Sequence, residues 1–220
     1  MILLENVYKR YRHSGSAGWV LNGIDLKISR GDKLGLIGSN GAGKSTLLSL
    51  IGGMDQPTRG RVSRTCRVSW PLGLTGGFQG SLSGRQNARF VCRVHGIEEG
   101  ELAEKLANVQ EFSGLDEAFD RPVKTYSTGM RSRLAFALSL VFEFEMYLVD
   151  ELISVGDAAF RTKSKQAFES IADRSGLIMV SHDETTLRTF CTRAVWLNQG
   201  RITCFDSVGE AIRAYRASIR

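Results

Sequence analysis

A glycine-rich octapeptide carries the strongest chemical signal in the sequence. Residues 38–45 read Gly-Ser-Asn-Gly-Ala-Gly-Lys-Ser and fit G-x-x-x-x-G-K-[ST], between an apolar run predicted as a strand and a segment predicted as a helix. Glycines let successive amides approach phosphate oxygens, and the helix N-terminus adds partial positive charge. The loop therefore predicts a nucleoside triphosphate site. Its candidate contacts are Gly38, Ser39, Asn40, Gly41, Ala42, Gly43, Lys44 on the outer phosphates, Ser45 on Mg²⁺, and Thr46.

Two adjacent acids, Asp150 and Glu151, end a second apolar run, Leu148-Val149. The carboxyl ends of parallel strands open onto a ligand crevice, so these acids should face the phosphate loop. We predict that Asp150 holds the Mg²⁺ shell and that Glu151 polarises a water against the γ-phosphate. Many strands end in a polar loop, so this assignment depends on where the acids lie relative to the phosphate loop.

A third motif, Tyr126-Ser127-Thr128-Gly129-Met130, precedes a predicted long helix that starts near Arg131. It resembles the signature motif, usually written LSGGQ, of ATP-binding cassette (ABC) ATPases. The resemblance implies that Ser127, the Gly129 amide and the helix dipole form a second anion site. It also implies an α/β fold: a RecA-like P-loop core, an antiparallel β subdomain and a helical subdomain.

Further positions agree with that family in order and spacing. Residues 154–157, Ser-Val-Gly-Asp, stand where the family has its D-loop, and His182 stands where it has a switch histidine. The imidazole of His182 could donate to the γ-phosphate. Tyr11 resembles the aromatic residue that stacks on adenine. Tyr8 is its rival, and a packing role is the alternative for either tyrosine.

One departure concerns the family's Q-loop glutamine, expected near the end of a strand around Val68–Trp70. The sequence there continues through a glycine-rich stretch to Gln79, to which we assign no metal-sensing role. This stretch and the signature resemble the ATPases that export bacterial surface polysaccharides, most closely the capsular branch. We expect residues 72–83, with Phe78, to grip a cytoplasmic helix of a membrane partner, and a plain surface loop is the alternative.

The resemblance implies an ATP-hydrolysing subunit that drives capsular polysaccharide across the inner membrane, with Glu151 and His182 as catalytic residues. ATP and Mg²⁺ are its expected ligands. Its expected partners are a second copy, arranged head to tail around ATP with Ser127 and Gly129 of the other copy on the nucleotide, and an integral membrane permease. That places the chain on the cytoplasmic face of the membrane. Alternatives are export of O-antigen or teichoic acid, a soluble ABC ATPase acting on nucleic acid, and a P-loop kinase.

Hydrophobic periodicity indicates the elements that must position these residues. Together with the resemblance, which implies one α/β ATP-binding domain over 1–220, it predicts a core and β subdomain from 1–83 and 144–220 and a helical subdomain over 84–143. Ser207 and Glu210 fit a capping box for a last helix, and Asn198-Gln199-Gly200 a hairpin turn. The predicted strands are 2–7, 19–28, 34–37, 61–70, 146–149, 177–180, 194–197 and 202–205.

Composition narrows the class of protein. The chain has 220 residues, 42% hydrophobic and 24% charged, which excludes a disordered chain. The four cysteines lack metal-ligand spacing, so we expect free thiols. The net charge of +6 favours an anionic neighbour. The basic residues are dispersed, without a clustered stripe, so no direct nucleic-acid contact is expected.

Overall fold

Strands and helices alternate along the described part of the chain, which in this computed structural model comprises residues 1–11, 18–72, 77–150 and 157–218. The strands are β1 Ile2–Lys9, β2 Leu21–Ile28, β3 Lys33–Ile37, β4 Arg59–Arg64, β5 Val68–Leu72, β6 Met146–Asp150, β7 Gly176–Val180, β8 Arg193–Asn198 and β9 Arg201–Phe205. The helices are α1 Lys44–Gly52, α2 Gly84–Val94, α3 Glu99–Ser113, α4 Thr128–Leu140, α5 Ala158–Arg174, α6 Glu184–Phe190 and α7 Val208–Ser218, with 3-10 helices at Asp116–Asp120 and Val123–Thr125.

The chain divides into two compact units. One contains Met1–Pro71, Phe144–Glu151 and Glu169–Arg220 and holds both β-sheets. The other contains Leu72–Glu143 and Leu152–Phe168 and is helical. We call them the sheet unit and the helical unit. Within the described residues, no helix combines the length and the apolar character needed to span a membrane.

The sheet unit has a small antiparallel sheet, ordered β2-β1-β4, and a six-stranded sheet, ordered β5-β6-β7-β3-β8-β9. In the larger sheet the pairs β6–β7, β7–β3 and β3–β8 are parallel, and β9 returns antiparallel to β8. The turn into β9 is the predicted hairpin, because Gln199 and Gly200 both have positive φ, 47° and 74°. The Asn22 amide donates to the Gly200 carbonyl at 2.7 Å, which joins this turn to the small sheet.

The order β6-β7-β3 brings three strand ends to one edge of the sheet. Asp150 ends β6 opposite Val180, the last residue of β7, and the glycine-rich loop follows β3. Parallel neighbours present their carboxyl ends together. This topology therefore collects the predicted phosphate loop, Asp150 and the segment after β7 at one place.

Apolar faces of α1 and the strands form the core of the sheet unit. Leu47, Leu48 and Ile51 of α1 are buried, and they belong to one cluster with Leu148 and Ile178. Burying a Leu or Ile side chain contributes about 1.5–3 kcal/mol. This packing holds α1 against the larger sheet.

The predicted strand over 61–70 is wrong as a single element. The chain forms β4 in the small sheet and β5 in the larger one, and turns between them at Thr65 and Cys66. The Thr65 amide donates to the Met1 carbonyl at 2.9 Å, and the Arg67 amide to the Glu145 carboxylate at 2.9 Å. The two halves of the run pair with strands of different sheets, and the local hydrophobic pattern does not reveal this difference.

The predicted second strand also begins late, at Leu21, because Trp19 packs edge-on against Tyr8 with ring centroids 5.3 Å apart. Helix α5 has no counterpart among the predicted elements. Its Phe160 contacts Phe112 and Phe136 edge-on within the helical unit. In the same unit Ser83 and Gln86 cap α2 reciprocally. The apolar faces of α3 and α4 are buried there at Leu102, Leu106, Val109, Leu134 and Leu138.

Candidate nucleotide-binding site

Two positions of the glycine-rich loop cannot take a residue with a Cβ without a clash or backbone strain. A Cβ on Gly38 would stand inside van der Waals contact with the carbonyl oxygen of Leu197. Gly43 is the N-cap of α1 in a left-handed conformation, with φ 104°. A Cβ there would also meet Val20 and Leu21 at 3.1–3.2 Å. The turn from β3 into α1 therefore depends on both glycines.

The start of α1 provides an anion site. The helix has no side-chain cap and no acidic residue in its first turn, so its first amides and positive dipole end face outward. The Lys44 ammonium donates to the carbonyls of Gly38 at 2.8 Å and Ser39 at 3.0 Å, which holds its charge over the loop. Positive charge and amide donors thus converge where phosphates are predicted.

A pair of oxygen ligands lies beside this loop. The Ser45 hydroxyl donates to the Asp150 carboxylate at 3.2 Å, although the two residues come from different elements. Hydroxyl and carboxylate oxygens are hard donors that suit Mg²⁺, which usually binds through one or two protein oxygens plus phosphates and water. The two residues fit the predicted metal site.

These residues line one cleft of about 260 Å³, large enough for a triphosphate. Val20 contributes an apolar side to it. Ala42 packs against the core, and its amide donates to the Ser39 carbonyl at 3.2 Å, which tightens the loop. The predicted contacts among its lining residues are Asn40, Gly41, Gly43, Lys44, Ser45, Thr46 and Asp150.

His182 lies on the other side of Lys44. It lines a smaller cavity of about 70 Å³ together with Gly38 and Lys44. The next residue, Asp183, caps α6 by accepting hydrogen bonds from Thr185 and Thr186. The hydroxyl of Thr186, followed by these amides, lowers the pKa of Asp183. The cap fixes the backbone beside His182, so the imidazole is held near the phosphate loop.

The two candidate base-stacking tyrosines have different surroundings. Tyr8 packs against Trp19, and a Cβ on Gly23 would meet its hydroxyl at 3.1 Å. Tyr11 is 44% exposed, and its hydroxyl donates to Asp55 at 2.9 Å. The Tyr11 ring is exposed, whereas the Tyr8 ring is engaged in packing. This contrast is a reason to keep Tyr11 as the predicted base-stacking residue.

The signature residues lie in the helical unit. Ser127 is the N-cap of α4, and its hydroxyl accepts the Met130 amide at 3.2 Å. Ser127 is exposed, and a Cβ on Gly129 would meet nothing closer than the Ser127 hydroxyl oxygen at 3.8 Å. The start of α4 is thus a capped helix N-terminus with an exposed Ser127, and the second anion site there stays a prediction.

Asp157, the last residue of the predicted D-loop, accepts the Phe160 amide at 2.9 Å and is paired with Arg133 of α4. The hydrogen bond from the Phe160 amide, with the Arg133 charge, lowers the pKa of Asp157. Residues 154–156 and the predicted base Glu151 lie outside the described residues.

The predicted partner segment, residues 72–83, is described only in part, because 73–76 lie outside the described residues. Phe78 is half-buried. The Gln79 side chain donates to Ser81 at 3.3 Å within the same loop. Sequence analysis missed the cap Asp183 and the cleft residue Val20. The preference of Asp for helix N-caps could have identified Asp183. No feature of the sequence identifies Val20 as a residue of the cleft.

Comparison with known proteins shows what the chain is similar to. The ABC transporter family model matches residues 21–154. The polysialic acid transport ATP-binding protein KpsT of Escherichia coli is 47% identical over 220 residues, with 100% of both chains covered. The capsule polysaccharide export ATP-binding protein CtrD of Neisseria meningitidis is 44% identical over 218 residues, with 99% of each covered. The teichoic acids export ATP-binding protein TagH of Lactococcus lactis is 37% identical, over 92% of this chain but 43% of its own length.

Solved structures show the same fold. A dimeric ATP-binding cassette in a post-hydrolysis state with ADP and Pi superposes with a TM-score of 0.78 at 21% identity, covering 94% of this chain and 99% of that one. An ATP-binding subunit of an ABC transporter gives a TM-score of 0.79 at 22% identity, covering 98% and 93%. The predicted α/β cassette fold is confirmed.

Proposed function

Because the chain belongs to the ABC transporter family, we propose that it is the ATP-hydrolysing subunit of an exporter that drives capsular polysaccharide across the bacterial inner membrane. The observation that carries this proposal is the similarity, over the whole chain, to polysialic acid and capsule export ATP-binding proteins. The similarity to a teichoic acid export protein covers less than half of that protein. Capsular polysaccharide is therefore the better supported cargo.

The residues of the sheet unit bind the triphosphate in this proposal. Amides of the glycine-rich loop and the start of α1 donate to phosphate oxygens, and Lys44 neutralises the outer phosphates. Tyr11 stacks on the adenine. Ser45 and Asp150 hold Mg²⁺, which when bound neutralises charge on the β- and γ-phosphates. Thr46 and Asn40 line the same cleft.

Hydrolysis needs a water in line with the γ-phosphate. Glu151, directly after the metal ligand Asp150, accepts a proton from that water as general base. His182 donates to the γ-phosphate from the neighbouring strand end, because β6 and β7 are parallel neighbours with Asp150 opposite Val180. A donor on the γ-phosphate stabilises the charge that develops on it in the transition state.

The second half of the site comes from another copy. The start of α4 presents the exposed Ser127 and the Gly129 amide as two donors for an anion, and among the described residues a Cβ on Gly129 would meet nothing closer than 3.8 Å. In a head-to-tail pair these groups bind the γ-phosphate held by the other copy. ATP thereby favours the closed pair, and hydrolysis removes the contacts that distinguish it from the open one.

This cycle drives an integral membrane permease. The chain is then a peripheral subunit on the cytoplasmic face of the inner membrane, bound through that permease. We propose that residues 72–83 contact it, with the helical subdomain, 84–143, inserted in a single ATP-binding domain over 1–220. Crosslinking from Phe78 to the permease tests the contact. Labelling of lipid or solvent alone would refute it.

Glu151→Gln tests the chemistry. We expect the variant to bind ATP as the parent does and to hydrolyse it at least about a hundredfold more slowly, the contribution of a positioned general base. The measurement is ATPase activity with the permease in proteoliposomes, with ATP binding assayed separately. Glu117→Gln, at a carboxylate whose side chain is 92% exposed, is the matched control. Parent-like turnover in Glu151→Gln would remove the assigned role.

Mixing two inactive variants tests the shared site. Lys44→Ala damages the phosphate loop and Ser127→Arg damages the signature. In a head-to-tail mixed pair, one of the two sites combines an unaltered loop with an unaltered signature, so ATPase activity should return on mixing. If each chain completed its own site, the mixture would stay inactive.

A further inference from the structure

A buried cation–carboxylate pair lies beside the exposed ring of Tyr11 in the sheet unit. The Lys9 ammonium donates to Asp55 at 2.6 Å and to the Gln56 carbonyl at 2.8 Å. The Tyr11 hydroxyl donates to the other oxygen of Asp55 at 2.9 Å. The Lys9 nitrogen also lies 4.9 Å from the centroid of the Tyr11 ring. One carboxylate therefore joins a lysine and the tyrosine.

The pair is unlike the exposed ion pairs elsewhere in the described residues. The Lys9 side chain is 10% exposed and that of Asp55 29%, whereas Asp120 of the Arg85 pair is 58% exposed. Burial alone would raise the pKa of Asp55, but hydrogen bonds from Lys9, the Gln56 amide and Tyr11 outweigh it, and the net pKa is lowered. The carboxylate is thus charged at neutral pH and a strong acceptor for the Tyr11 hydroxyl.

The backbone before Tyr11 is fixed to the same segment. The Thr58 amide donates to the Tyr8 carbonyl at 2.8 Å, and the Arg10 amide donates to the Thr58 hydroxyl at 3.2 Å. Residues 55–58 therefore hold both the main chain and the side chain at the end of β1. They follow α1 directly, and α1 begins at the phosphate loop.

We propose that Asp55, together with Lys9, is a positioning residue that holds the Tyr11 ring for the adenine base. Lys9 lies over one face of the ring and Asp55 fixes its hydroxyl, so the ring is tethered at two points. The inference rests on the proposed function, in which Tyr11 stacks on adenine. It adds the reason why an exposed ring at the end of a strand stays in one orientation.

The physical advantage is preorganisation. A free tyrosine at the surface loses side-chain entropy when a base stacks on it, and that cost weakens binding. A ring that is already tethered has lost this freedom on folding. Because α1 is nine residues long and rises about 1.5 Å per residue, one rigid helix connects the phosphate loop to the base platform. The tether itself joins Lys9, Asp55 and Tyr11, which lie outside the phosphate loop, so its loss should weaken binding of the base and not of the phosphates.

A double-mutant cycle tests the proposal in the full chain. The variants are Tyr11→Phe, which keeps the ring and the Lys9–Asp55 pair, Asp55→Asn, and the two combined. Equilibrium binding is measured with ATP and with inorganic tripolyphosphate, which has no base. Tyr11→Ala measures the whole contribution of the ring. Asp120→Asn, which breaks the exposed Arg85 pair of the helical unit, is the matched control.

We expect Tyr11→Ala to weaken ATP binding about tenfold, as for loss of a base–aromatic stack. Tyr11→Phe and Asp55→Asn should each weaken it about threefold, and their combination no more than about threefold, because both remove the same hydrogen bond. Tripolyphosphate affinity should not change in any of these variants. Asp120→Asn should bind both ligands as the parent does.

Different failures separate the two claims. If Tyr11→Ala binds ATP as the parent does, the stacking role in the proposed function is wrong. If Tyr11→Ala weakens ATP but Tyr11→Phe does not, the tether is dispensable and the present inference is overturned. If the affinity losses of Tyr11→Phe and Asp55→Asn multiply in the combined variant, the inference is also overturned. If Asp55→Asn weakens the binding of tripolyphosphate as much as the binding of ATP, Asp55 has a role in stability alone and the inference is overturned. If Asp55→Asn does not fold, Tyr11→Phe still tests the same hydrogen bond.

Discussion

The glycines of the phosphate loop and the glycine of the signature motif are required for different reasons. Gly38 and Gly43 are surrounded by their own unit: a Cβ on either would meet Leu197 or Val20. Gly129 has open space, with nothing closer than 3.8 Å to a Cβ built on it. The first two are needed by the fold. Among the described residues nothing crowds the third, and the proposed function assigns its requirement to the γ-phosphate held by another copy.

This difference matches the chemistry proposed for each region. The phosphate loop is assembled within the sheet unit, where Lys44, Ser45 and Asp150 already converge. The signature presents one capped helix start, with Ser127 exposed. A site built within one unit can be recognised from its own contacts. A half-site, in contrast, is recognised by exposed polar groups that contacts within its own unit do not explain.

Alanine substitutions at Gly38 and Gly129 should show the largest difference between the phosphate loop and the signature motif. Gly38→Ala forces a backbone shift and should destabilise the protein by about 2–4 kcal/mol. Gly129→Ala should cost less than about 0.5 kcal/mol, since alanine is the better helix former. It should still lower ATPase turnover roughly tenfold or more, because the methyl group displaces the γ-phosphate from the amide. Urea unfolding and ATPase assays measure the two effects.

The comparison would be wrong if Gly129→Ala unfolded at clearly lower urea while Gly38→Ala kept the parent midpoint. It would also be wrong if Gly129→Ala hydrolysed ATP at the parent rate in the presence of the permease. Far-ultraviolet circular dichroism of both variants establishes that each is folded before activity is compared.

A smaller effect is expected at the cap of α4. Ser127→Ala loses the hydrogen bond from the Met130 amide and should cost about 1 kcal/mol of stability. It should also reduce turnover, since the same hydroxyl faces the proposed anion. Ser207→Ala is the control, because Ser207 accepts the Glu210 amide at 3.2 Å in a cap that contains none of the predicted site residues. Equal turnover in the two variants would restrict Ser127 to a capping role.

The smallest predicted effect is a difference in reactivity among the cysteine thiols, which reports local opening within each unit. Burial raises the pKa of Cys191 to about 12 and raises the pKa of Cys92. Both thiols should therefore stay protonated at pH 8, while the exposed Cys204 reacts first with iodoacetamide. The half-buried Cys66 should follow, and the buried Cys92 and Cys191 should react last. Mass spectrometry of a time course gives the order, and prompt labelling of Cys191 would contradict a closed sheet unit.

The sequence predicts most of the phosphate site because its determinants are local. The conformation of Gly43 and the helix start follow from residue types within a few positions. The approach of Asp150 to Ser45 follows from the rule that parallel strands end at one edge. The signature cap at Ser127 is equally local. These features need no knowledge of distant packing.

Other features depend on contacts between distant segments. The run over 61–70 splits because its two halves pair with different sheets, and neither glycine nor proline marks Thr65 and Cys66. Helix α5 is secured by Phe160 against two phenylalanines far away in the chain. The preference for Tyr11 over Tyr8 likewise rests on Trp19, which the periodic pattern placed in a strand.

The turn between β8 and β9 has a practical consequence. Hairpin tips are common places to insert an epitope or a fluorescent label. Here Gly200 is buried, its carbonyl accepts the Asn22 amide at 2.7 Å, and a Cβ on it would meet the Val20 carbonyl at 2.9 Å. Val20 lines the nucleotide cleft. A reporter grafted at this tip would disturb the very pocket it was meant to observe.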